Sequence, residues 1–294
     1  MSDSGDFLAT MVERSRARVQ RAQQLRAESG LREFVEQLPP PVPLQFSPQG
    51  FDLIAELKLR SPAVGRLRDA GNEDIGARVL DYARGGAAAV SVLTEPSQFD
   101  GSMSHLEKAA RALTLERVPA MRKDFLVAPY QVLEARAAGA GGVLVILRML
   151  PRGEVEALID AALQLGMFVL LEAFDESDIA LLQQLVDARD AARERLLAGV
   201  NCRDLTTLQI VPDRLEQLAA HLPADVHRVA ESGVGTPEDA ARMARAGYDL
   251  ALVGSALMSG SSPQQLAAQM LAAARAALDQ QPRGGRPSVP RGAA

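Results

Sequence analysis

The chain has 294 residues, 47% of them hydrophobic, which is material for one large α/β domain or two small ones; aromatics are only 4% and Trp is absent, so the core must be aliphatic. A net charge of −5 with both signs mixed along the chain leaves no basic stripe and no interleaved aromatic set, which excludes nucleic acid as a partner. The single Cys202 cannot form an internal disulfide, Met1 to Thr10 hold no apolar signal core, and the longest clean apolar run, Val143 to Leu147, is far too short to span a bilayer, so a soluble cytoplasmic protein without membrane contact is expected.

The spacing of Leu8, Met11 and Val12, and then of Leu31, Phe34, Val35 and Leu38, predicts helix over residues 7–38, stopping at Pro39-Pro40-Pro41 because proline lacks the amide proton. Residues 1–50 therefore read as a helical extension that packs on a larger domain. From Asp52 the texture changes. Strands are predicted at Asp52–Leu57, Ala88–Thr94, Ala120–Lys123, Gly142–Leu147, Phe168–Glu172, Leu197–Asn201, His227–Glu231 and Leu250–Val253. Helical patterns alternate with them near 73–85, 104–115, 129–138, 153–165, 175–195, 212–220, 236–246 and 263–279. Such alternation builds a parallel sheet, and its length fits a closed (β/α)8 TIM barrel over residues 51–280. An open doubly wound sheet would show a glycine fingerprint after its first strand, where this chain has Lys58-Leu59-Arg60-Ser61-Pro62. The stretch 281–294 is Pro, Gly and Arg with little to bury, and is expected to be a disordered tail.

Three of these strands end on acid, at Glu56, Glu172 and Glu231, and two others end on Lys123 and Asn201. Side chains alternate along a strand, so Glu56 and Lys58 share a face with Ile54, Lys123 with Met121, Glu172 with Leu170, Asn201 with Gly199, and Glu231 with Val229. Arg203, two residues beyond Asn201, reaches the same side. Three carboxylates and three cations then converge at the carboxyl end of a barrel, where active sites lie. The competing reading is a buried ion-pair network that only holds the barrel together. A second signal is the pair of glycine turns Glu231-Ser232-Gly233-Val234-Gly235 and Val253-Gly254-Ser255-Ala256, each opening a helix at the last two units. Glycines and helix N-termini suit a phosphate, with Ala256 to Ser259 as a short extra helix against it.

Taken together, these segments resemble the indole-3-glycerol-phosphate synthase family. The matching stretches are Ile54-Ala55-Glu56-Leu57-Lys58 with Ser61-Pro62, Ser91-Val92-Leu93-Thr94-Glu95 with Phe99 and Gly101-Ser102, and Arg122-Lys123-Asp124-Phe125. Pro129-Tyr130-Gln131, Asn201-Cys202-Arg203-Asp204-Leu205, Ala230-Glu231-Ser232-Gly233 and Gly254-Ser255-Ala256-Leu257-Met258 continue the match in order. The resemblance implies a substrate, 1-(2-carboxyphenylamino)-1-deoxyribulose 5-phosphate, and loss of carbon dioxide and water without metal or organic cofactor. It implies that Lys123 is the general acid at the ketone, its pKa lowered by neighbouring cations. Lys58 would pair with the substrate carboxylate and donate a proton in the dehydration. Glu172 would be the base of the later step, and Glu56 would orient the lysines. Asn201 and Arg203 would hold carboxylate and hydroxyls, and Glu231 the sugar hydroxyls. Ser232, Gly233, Gly254 and Ser255, with Ser61, would meet the sugar phosphate, and Phe99 the substrate.

The chain departs from the family pattern at Ala63-Val64-Gly65, in the loop over the substrate, and in the length of its fifth helix through Asp187 to Arg195. Cys202 stands where a polar residue is common and is expected to be a packing group. A paralogue with the same chemistry in a specialised indole pathway, a sugar-phosphate isomerase and a non-catalytic phosphate-binding protein are the alternatives. The exposed faces carry no heptad seam, and a monomer is expected.

Overall fold

A computed structural model of the chain describes residues 7–69, 71–205 and 207–280. The predicted tail, 281–294, lies outside them. Eight parallel strands close into a barrel: β1 Asp52–Leu57, β2 Ala89–Leu93, β3 Ala120–Lys123, β4 Gly142–Ile146, β5 Phe168–Ala173, β6 Leu196–Asn201, β7 His227–Glu231 and β8 Leu250–Val253. Ile54 stands level with Ala89 on one side and Leu252 on the other, so β1 joins β2 and β8 and closes the ring. Helices or helical turns follow the strands, as the alternation predicts.

The alternation also separates two apolar clusters. Ile54, Met121, Leu144, Phe168, Leu170, Leu197 and Val229 point inward and fill the lumen. Leu53, Ala55 and Leu57 point outward and pack under the helices. This division is the physical content of a period of two on strands covered on both sides.

The extension is two helices, not one. Helix α1 spans Phe7–Leu25 and helix α2 spans Glu28–Glu36, with Ala27 extended between them (φ −60°, ψ 144°). The Tyr130 hydroxyl reaches this break, 2.9 Å from Arg26 O and 3.1 Å from Ala22 O, the latter also accepting from Arg26 N. The bend lets the stripe of Leu31 and Val35 join the core outside the barrel, while Leu8 and Met11 of α1 join the inner cluster. A single straight helix could not bury both stripes.

The fifth helix is also shorter than its sequence pattern. It runs Glu176–Asp187, and Asp190–Arg195 is a separate 3₁₀ segment. Arg189 divides them, its side chain donating to Asp160 at 2.7 Å and to Leu185 O at 3.1 Å. The segment feeds the start of β6 and so lies at the end of the barrel opposite the strand carboxyl termini. The helix predicted at 212–220 shrinks to Arg214–Ala219. Between β1 and the next helix, Arg60–Ser61 and Gly65–Arg66 pair as a small antiparallel hairpin.

Candidate active site

The strand ends deliver their polar residues to one place. Glu172 on β5 is level with Ile146 and Gly199, and Glu231 on β7 is level with Asn201 and Leu252. The lumen below is filled with apolar groups, so the long polar side chains can only gather above it. Lys123 Nζ lies 3.2 Å from Glu172 Oε2 and 3.2 Å from Glu231 Oε2. Asn201 Nδ2 donates to Glu172 Oε2 at 3.2 Å. Across the mouth, Lys58 Nζ pairs with Glu56 Oε1 at 2.7 Å. Arg203 is fixed by its backbone amide donating to Asn201 Oδ1 at 2.9 Å and its guanidinium to Leu208 O at 2.7 Å.

These groups line a cavity of about 400 Å³. Every site residue singled out from the sequence lines it, including Ser61, Phe99, Ser232, Gly233, Gly254 and Ser255. The apolar walls are what the sequence reading missed. Phe7, Leu93, Phe125, Ile146 and Ile210 line the same cavity. Phe125 meets Phe7 edge-on, with ring centroids 5.8 Å apart, and Phe99 at 6.3 Å. Phe7 carries no local signal, because a Phe on the stripe of an amphipathic helix reads as core.

The electrostatics correct one expectation. The pKa of Lys123 is not depressed. Burial does push in that direction, but Glu172, Glu231 and Glu56 outweigh it and hold the ammonium well above its ordinary pKa. The nearby cation Lys58 is occupied by Glu56. Burial would raise Glu56, yet the charges of Lys58, Lys123 and Arg203 draw its pKa below the usual value. Glu231 goes the other way. Burial and the like charge of Glu172 raise it well above a normal carboxylate despite Lys123, and its Oε1 is buried without a hydrogen-bond partner.

Beside Lys123, Asp124 is buried and held by Arg18 at 2.7 and 3.0 Å, by the Thr94 hydroxyl at 2.7 Å and by Arg122 at 3.2 Å. Ser15 of α1 donates to Phe125 O at 2.5 Å and accepts from Gln131 at 2.9 Å. The end of β3 is thereby fixed on both sides of its lysine.

At the last two units the chain turns sharply: Ser232 (φ 68°) and Gly233 (φ 71°) are both left-handed, which costs a residue with a Cβ. Helix Pro237–Ala246 opens with a reciprocal Thr236–Asp239 capping box, and Ser255–Ser259 forms the short extra helix foreseen from sequence. Gly254 is crowded rather than open. A Cβ there would fall 2.3 Å from Glu56 Oε1 and 3.1 Å from Lys58 Nζ, so this glycine makes room for the ion pair. Cys202 is buried, burial pushes its thiol up to about 11, and it packs against Gly233 as expected of a packing group. Among the described residues no three His, Cys, Asp or Glu side chains gather as ligands for a metal ion.

The model of the indole-3-glycerol phosphate synthase family matches residues 8–270. The chain belongs to that family. An indole-3-glycerol phosphate synthase of Parafrankia sp. is 40% identical over 248 residues, covering 83% of this chain and 87% of the relative. One from Mycobacterium sp. (strain KMS) is 35% identical over 272 residues, 92% of this chain and 95% of its own. Among solved structures, 3-hexulose-6-phosphate synthase from Salmonella typhimurium aligns with a TM-score of 0.56 at 15% identity, over 78% of this chain and 99% of its own. Thiamine phosphate pyrophosphorylase from Pyrococcus furiosus aligns with the same TM-score at 13% identity, over 78% and 98%. At those identities the structural likeness speaks for the barrel alone.

Proposed function

We propose that the protein is the lyase that closes the indole ring of 1-(2-carboxyphenylamino)-1-deoxyribulose 5-phosphate in tryptophan biosynthesis, acting as a carboxy-lyase with loss of carbon dioxide and water. The observation that carries this reading is the family match across residues 8–270, which takes in every polar residue of the cavity. The chemistry needs a proton at a ketone oxygen, and Lys123 offers a charged ammonium in a cavity with apolar walls. As the ring carbon attacks the ketone, Lys123 protonates the carbonyl oxygen to a hydroxyl. The ring carboxylate then leaves as carbon dioxide and its bonding pair restores the aromatic ring. In the dehydration Lys58 gives a proton to the departing hydroxyl, and Glu172 accepts the proton lost from the forming five-membered ring. Glu56 holds Lys58 in place and faces the nitrogen as it becomes positive. Arg203 and Asn201 orient the substrate, Glu231 takes a sugar hydroxyl, and the phosphate sits over Ser232, Gly233 and Ser255 with Ser61 above it. The aromatic wall of Phe7, Phe99 and Phe125 fits the substrate's ring.

A cytoplasmic monomer belongs to the same reading; among the described residues no helix is long and apolar enough to cross a membrane. A single-turnover assay following indole fluorescence from the carboxyphenylamino sugar phosphate tests the function. No fluorescence change with folded protein at saturating substrate overturns it.

A further inference from the structure

The inward positions of β6 are Leu197, Gly199 and Asn201. Leu197 fills the lumen and Asn201 holds Glu172, but Gly199 between them has no side chain. The space it leaves is taken by Glu231, reaching across from β7. A Cβ at Gly199 would lie 2.3 Å from Glu231 Oε1 and 2.9 Å from Leu170 Cδ1. Glu231 is 1% exposed, its Oε2 lies 3.2 Å from Lys123, and its Oε1 has no hydrogen-bond partner. One oxygen is therefore tied to the lysine, and the other sits against the bare Cα of Gly199.

We propose that Gly199 is a positioning residue, a notch that holds the Glu231 carboxylate against Lys123. Gly254 makes a second notch of the same kind for Glu56 on the other side of the mouth. Gly142 shows the contrast: a Cβ there would strike the ring of Phe168 at 2.4 Å, a packed group with nowhere to go. At Gly199 the nearest obstacles are side-chain ends, Glu231 Oε1 first and Leu170 Cδ1 second. An added methyl spares the barrel and moves the carboxylate. Displacement of a reacting group by about 1 Å is enough to cost up to about a hundredfold in rate.

The inference rests on Glu231 belonging to the working site, and wild-type turnover tests that separately. With turnover in hand, Gly199→Ala should lower kcat by about tenfold or more. In a Glu231→Ala background the same substitution should change kcat by less than about twofold, because the displaced atoms are gone. Wild-type kcat in Gly199→Ala, or an equal loss in both backgrounds, overturns the proposal. A melting experiment needs no turnover. Gly199→Ala should melt lower than wild type, and removing the Glu231 side chain should recover most of that loss. If both Gly199→Ala and the double variant fail to fold, Leu170 and the backbone demand the glycine and the notch for Glu231 is wrong.

Discussion

Burial pushes the Lys123 pKa down, and the charges of Glu172, Glu231 and Glu56 outweigh it. An acid this strongly held acts through its position, giving up its proton only to an oxygen that is itself becoming negative. Lys123→Met should lower kcat by at least about two orders of magnitude, the scale of lost general acid catalysis; a folded variant with near-wild-type kcat removes Lys123 from the chemistry. Glu231 carries the opposite strain. Its folded pKa lies well above the ordinary 4.5. As pH rises past that value the unfolded chain releases the proton while the folded protein keeps it. The contribution to stability is thus greatest below the unfolded pKa and declines as pH climbs toward the folded one. Glu231→Gln should gain stability over wild type between about pH 4 and about pH 7. Urea titrations at both pH values check this, and an equal difference at both contradicts it. At Gly254 the crowding by Glu56 sets the order of two further variants. Gly254→Ala should lower kcat as well as raise KM, because its methyl meets the Glu56 carboxylate. Ser255→Ala removes one hydroxyl at the helix start and should raise KM alone. Steady-state kinetics on the pair decide it, and an unchanged kcat in Gly254→Ala counts against the crowding.

At the scale of elements, α1 is fastened to the barrel beside the lysine. Arg18 is the one group on Asp124 that comes from outside the barrel, and Asp124 is fully buried, its pKa pulled down by Arg122 and Arg18 against the pull of burial. Arg18→Met should therefore destabilise the protein by about 1.5–3 kcal/mol, the worth of hydrogen bonds to a buried charge. The pH dependence of that loss is a second readout. Asp124 is depressed in the fold, so its contribution is present above its ordinary pKa of 3.8 and lost as pH falls through the folded value. The cost of Arg18→Met should shrink in acid, and chemical denaturation across the acid range measures it. A cost that does not vary with pH would place Arg18 in packing rather than in the charge network.

For the whole molecule, the large apolar side chains left exposed among the described residues are few and scattered. Leu25, Phe34 and Leu115 sit apart along the chain, while Val64 and Ile210 line the mouth of the cavity. Obligate partners cover broad apolar faces, and dispersed single residues do not make one. Light scattering should return the mass of one chain at micromolar concentration. A dimer mass that persists on dilution contradicts this.

The barrel was legible because its causes are local. Period-two strands bounded by turn residues, repeated with helical patterns between, leave few ways to bury both faces of a sheet. The strand ends of Glu56, Lys123, Glu172, Asn201 and Glu231 were legible for the same reason, since alternation fixes which side each one faces. The break at Ala27 and the shortened fifth helix were not, because both depend on what the helix packs against: Tyr130 rewards the first, and Arg189 reaching Asp160 marks the second. Nor could sequence predict the sign of the shift on Lys123. That depends on which charges gather around it, and Glu172, Glu231 and Glu56 come from three different strands. Phe7 and Gly199 show the limit most clearly. A helical Phe and a strand Gly are ordinary in the chain, and only closure of the barrel brings one to the cavity wall and sets the other under a carboxylate.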